Sequence, residues 1–101
     1  MLFKMITVHI TDGQQQPVQL DEAYTLRLSS GEKIRFDKNP VSGHYTVLDD
    51  SYQKRLQNTA TDFKFVGYRH GKVVVEQAFR IGADCCHINL VTGATDLVVQ
   101  P

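Results

Sequence analysis

The chain has 101 residues, one domain's length. Its 42% hydrophobic and 22% charged content is close to the globular average and excludes a disordered tail or a coiled coil. Eleven basic residues balance eleven acidic ones. No like-charge run exceeds Asp21-Glu22 or Asp49-Asp50, so no field gathers nucleic acid or an anionic membrane.

Residues 3–10 alternate, with Ile6, Val8 and Ile10 on one face and Met5, Thr7 and His9 on the other, which predicts a strand. The same segment is too short and interrupted for a signal peptide or a membrane span. The expectation is a cytoplasmic protein, or an exported one whose signal is absent from this chain, with no membrane insertion. Asp12-Gly13 marks a turn, and Pro17 argues against a central strand in the polar loop that follows.

Residues 23–28 predict a second strand, with Tyr24, Leu26 and Leu28 in phase, and residues 33–37 a third, with Ile34 and Phe36 in phase. Residues 38–43 are dense in turn formers, and residues 44–48 follow as a strand. Residues 50–58 predict the single short helix, capped by Asp50 or Ser51, with Tyr52 and Leu56 on one face.

Residues 62–68 and 72–81 predict a hairpin around Arg69-His70-Gly71, where Gly71 suits a positive φ. The next strands meet at Gly82-Ala83-Asp84, Cys86, Ile88 and Leu90 sharing one face, and Thr92-Gly93 turns into residues 95–99. Strand signals without alternating helices predict an all-β fold: an antiparallel sandwich of seven or eight strands with one short helix. The expected core is Ile6, Val8, Leu26, Leu28, Ile34, Phe36, Val47, Phe65, Val75, Phe79, Ile81, Cys86, Ile88, Leu97 and Val99.

Several of these segments also carry a family pattern. Ile6-x-Val8-x-Ile10-x-Asp12-Gly13 with Pro17-Val18 looks like an opening strand and its turn. Asp37…Gly43-His44-Tyr45-Thr46-Val47 and Phe79-Arg80-Ile81…His87-Ile88…Gly93 complete the pattern. It resembles the carboxypeptidase regulatory-like domains, which have a transthyretin-like β-sandwich. The resemblance implies a Tyr45 ring packed at the sandwich edge with its hydroxyl in water. Turn glycines and alternating apolar residues specify a fold and carry no chemistry.

One enzymatic branch of that superfamily, the 5-hydroxyisourate hydrolases, implies His9 and His87 as catalytic candidates. Thr7-Val8-His9-Ile10-Thr11-Asp12 is similar to its N-terminal motif, and His87 falls near its C-terminal histidine. Such chemistry needs a base near neutral pH and a cation for the anionic product. This chain ends Leu97-Val98-Val99-Gln100-Pro101, without the branch's Tyr-Arg-Gly-Ser and without its arginine. Two histidines lacking a positioning shell do not make a hydrolase site.

The two cysteines are adjacent, and neighbouring cysteines rarely close a disulfide because the eight-membered ring is strained. The expectation is therefore free thiols in a reducing compartment. Cys85 and His87 project to one face at i,i+2 and are metal candidates, with His9 as a third donor if its strand lies alongside. A lone pair of donors falls short of what zinc takes, so no cofactor is expected. Cys86, in phase with Ile88, should be buried and inert, and Cys85 titratable beside His87, neither being activated as a nucleophile.

Asp84 reads as a turn residue accepting local N–H bonds, and Asp49-Asp50 as a strand end and a helix cap. Phe63, Phe65, Tyr68 and Phe79 raise a carbohydrate-stacking platform, but their phase favours the core. Lys4 and Asn89 are residue types that form isopeptide bonds in related sandwiches, without the accompanying glutamate. The resulting expectation is a non-catalytic accessory or protein-interaction domain, with self-pairing through an edge strand as one mode of association.

Overall fold

The computed structural model describes residues 4–36 and 42–99. The expectations for Phe3 and for residues 37–41, including Asp37 of the family pattern, lie outside the described residues. The strands are β1 (Met5–Asp12), β2 (Glu22–Arg27), β3 (Glu32–Ile34), β4 (His44–Asp49), β5 (Ala60–Arg69), β6 (Lys72–Ala83), β7 (Ile88–Thr92) and β8 (Asp96–Val99). They form a three-stranded sheet in the order β4-β1-β8 and a five-stranded sheet in the order β3-β2-β5-β6-β7. The fold is all-β.

Between β4 and β5 the chain makes a 3-10 turn, Asp50–Tyr52, and a single helical turn α1, Gln53–Leu56. This is shorter than the helix expected over residues 50–58. So short a helix holds only by packing, and Leu56 supplies that by lying fully buried. The cap also differs: Asp49, not Asp50 or Ser51, accepts the Ser51 N–H at 3.0 Å.

One pairing departs from the expected antiparallel pattern. β8 runs parallel to β1, with His9 opposite Asp96 and Ile10 opposite Leu97. Residues 93–95 carry the chain from β7, on the large sheet's edge, to β8 on the small one. Elsewhere the ladders are antiparallel. The β5–β6 hairpin closes through His70-Gly71, both at positive φ (55° and 75°), in a two-residue turn tighter than expected from sequence.

The core joins both sheets: Ile6, Val8 and Ile10 of β1 and Val47 and Leu48 of β4 pack with Phe63, Phe65, Phe79 and Ile81 of the large sheet. A bulge in β4 organises one side of it. Ile6 pairs with Leu48 and Thr7 with Thr46, so Val47 is left over in the ladder. Its carbonyl instead accepts the buried Thr25 hydroxyl of β2 at 2.6 Å, stitching the sheets together.

That bond accounts for the phase error in β2. Thr25, not Leu26, points inward and is fully buried, its hydroxyl satisfied by Val47. Leu26 is only partly buried, and Leu28, beyond the strand's end, is 49% exposed. Phe36 and Leu97 pack against the core from its margin rather than inside it. Ile10, Val18, Leu20, Leu48, Leu56, Val66 and Ala83 join the core beyond the expected set, and so does Phe63, whose phase favoured it.

Candidate functional site

β6 does not end at Ile81 as expected. It pairs with β7 through Ala83, and the turn comes later, at residues 84–87. Asp84 is the turn's organiser, as its residue type implies. Its Oδ1 accepts the N–H groups of Cys86 (2.8 Å) and His87 (3.0 Å), and its own N–H donates to the His87 carbonyl at 3.1 Å. Those two N–H bonds, His87's first, hold the Asp84 carboxyl below the usual carboxylate range.

This geometry corrects the reading of the cysteines. β7 starts at Ile88, so Cys86 lies in the turn, outside the strand alternation that would have buried it. Both cysteines are exposed and are joined to each other by a disulfide. The expected contrast between a buried Cys86 and a free, titratable Cys85 is not what the structure holds. Asp84, Cys85 and Cys86 do bring three potential donor atoms within 4.8 Å of one another. The sulfurs bonded as a disulfide are not thiolate ligands.

The His87 imidazole meets Asp50. Its Nδ1 lies 2.7 Å from Asp50 Oδ2, which also accepts the Lys4 N–H at 2.7 Å, while Oδ1 accepts the Ile88 N–H at 2.9 Å. Asp50 is therefore no helix cap. Only 9% exposed, it gathers the starts of β1 and β7 and the end of β4 onto one carboxylate. Burial raises its carboxyl pKa, but the bonds from His87, Ile88 and Lys4 outweigh it and leave the group at about 2. Sequence reasoning assigned Asp50 only a local role, because its partners are 37 to 46 residues away.

His9 belongs to a different place. It lies five residues along β1 from Lys4, roughly 16 Å at strand rise. Its imidazole stacks on His44, directly opposite on β4, at 4.2 Å between centroids and 6° between planes. Asp96 on β8 stands on its other side, 3.8 Å from Nδ1. The structure thus places His9 with His44 and Asp96, and His87 with Asp50. It does not bring His9 and His87 together, nor His9 to the cysteines, although β1 and β8 are neighbours.

The remaining candidates resolve by burial. Phe63, Phe65 and Phe79 are core residues, as their phase implied, and only Tyr68 of that group stays partly open beside Tyr24. Lys4 Nζ donates to Asn89 Oδ1 at 3.4 Å in an exposed hydrogen bond. The Tyr45 hydroxyl is not in water: it accepts the Leu20 N–H at 2.6 Å and donates to the Val18 carbonyl at 3.1 Å. Beside it, a cleft of about 70 Å³ walled by Leu20, Tyr24, Ile34, Phe36 and Phe65 is well short of a ligand pocket.

Two edges differ in a way that bears on partners. β3, at one end of the large sheet, carries Glu32 and Lys33 and is followed by Arg35. At the other end the chain from Cys85 onward has Asp96 as its only Asp, Glu, Lys or Arg. There Val91 of edge strand β7 is 54% exposed and Val98 of edge strand β8 is 61% exposed. No helix of the described residues is long and apolar enough to cross a membrane. No family model matches the chain, and no curated protein or solved structure matches it either.

Proposed function

We propose that this is a non-catalytic interaction domain that pairs with a second copy of itself along β8. The observation that carries the reading is the edge of β8, open among the described residues and without a charge beyond Asp96. Among the described residues it pairs with β1 on one side only, and it exposes Val98. An edge strand offers a row of unpaired N–H and C=O groups, and natural proteins usually guard it with lysine or another charge. β3 has such charges, and β8 beyond Asp96 has none. A two-fold axis beside β8 and perpendicular to the small sheet would pair β8 antiparallel with its copy and extend that sheet from three strands to six in an isologous pair.

The transthyretin-like sandwich type and kinship with the carboxypeptidase regulatory-like domains belong to the same proposal. Two sheets sharing one core and the strand-turn pattern around Asp12-Gly13 support them. Sedimentation at micromolar concentration tests the pairing: wild type should sediment as a dimer and Val98→Lys as a folded monomer. A wild-type chain that stays monomeric would sink the reading, as would a Val98→Lys variant that still dimerises.

A further inference from the structure

We propose that Cys85–Cys86 is a reversible thiol-redox site whose state is sensed by the neighbouring His87–Asp50 contact. Three observations converge on it. Both cysteines are exposed, so a reductant reaches either sulfur without unfolding the chain. Adjacency closes the pair into a strained eight-membered ring, and strained disulfides are more easily reduced. The bridge also closes no loop of chain, so it removes little entropy from the unfolded state. A disulfide that staples nothing and faces solvent belongs to the labile class.

The exchange balances simply. One thiolate of a dithiol reductant attacks a sulfur of the pair, the Cys85–Cys86 bond breaks, and a mixed disulfide forms. The reductant's second thiolate then closes its own disulfide and releases the protein dithiol. Two electrons pass to the pair, and two protons end on the Cys85 and Cys86 sulfurs. The chain has no third cysteine, so no internal reshuffling competes.

The consequence is local. Oxidation confines the Cys85–Cys86 peptide to an eight-membered ring, and the N–H groups of Cys86 and His87 both bind Asp84 Oδ1. The next group along is the His87 imidazole on Asp50, which ties β7 to the starts of β1 and the 3-10 turn. Opening the ring frees the turn at the point where that imidazole is anchored.

The test uses the folded full chain. Before reduction an alkylating reagent should add to neither cysteine. After dithiothreitol it should add twice per chain, and oxidised glutathione should restore the unreactive form. Reduction should proceed in the native state without denaturant. Phenylarsine oxide should be captured one per chain, with loss of water, by the reduced form alone. The His87 ring resonances should move on reduction while those of His44 stay. Two adducts before reduction, a need for denaturant, or loss of the fold on reduction overturns the redox site; unmoved His87 resonances overturn the sensing.

Discussion

His87 and Asp50, 37 residues apart in the chain, meet at 2.7 Å across the end of the molecule where β1, β4 and β7 converge. The carboxylate also takes two backbone N–H groups, from Lys4 and Ile88, so one side chain satisfies donors from two strand starts and one ring. Such a node is a stability element whose contribution depends on ionisation.

The Asp50 carboxyl falls from an ordinary value of 3.8 to about 2 in the folded protein. A depressed folded pKa means that the unfolded chain binds more protons between these values, so the Asp50 contribution is complete above about pH 4. It is lost as pH falls from 3.8 toward 2. Urea titrations across this window should show the wild type weakening with acid. Asp50→Asn should be less stable at pH 7 and show a flatter acid limb. A parallel pair of curves would show that Asp50 is not the titrating group.

Thr25→Val removes the hydroxyl that caps the Val47 carbonyl beside the β4 bulge. A buried acceptor left without its donor costs about 1–3 kcal/mol, and the added methyl does not return it. Tyr45→Phe strips the bonds to Leu20 and Val18 and should cost a similar amount, about 1–2 kcal/mol. Denaturant midpoints with an unchanged slope would identify both as stability losses. A neutral Thr25→Val would mean that the bulge carbonyl finds another donor.

Gly93 joins β7 to the passage toward β8 at φ 129°, and a Cβ there would meet the Phe79 ring and the Ala78 carbonyl oxygen. Gly93→Ala should therefore destabilise by more than about 2 kcal/mol, since both backbone conformation and core contact resist it. Gly71→Ala, at φ 75° with open space around its Cβ position, should cost less. Thermal melts of the two variants check the order, and an equal loss in both would mean that contact with Phe79 is relieved by movement of the ring.

Much of the architecture was legible in local pattern. The alternation of Ile6, Val8 and Ile10, the hairpin at His70-Gly71 and the inward phase of Phe63 and Phe65 are all periodicity and turn chemistry. These act within a few residues and need no knowledge of neighbours. Asp84 likewise declared its role, because an aspartate in a turn bonds the N–H groups two and three residues ahead of it. What tertiary structure alone decided was everything that depends on a distant partner. Thr25 faces inward only because a bulge 22 residues away exposes the Val47 carbonyl to it. Asp50 became the anchor of His87 because β6 runs through Ala83, moving the turn downstream. The same shift took Cys86 out of strand phase and onto the surface. A period-2 pattern says which residues share a face, but a displaced turn or a single bulge resets that phase, and long-range pairing alone decides where it is reset.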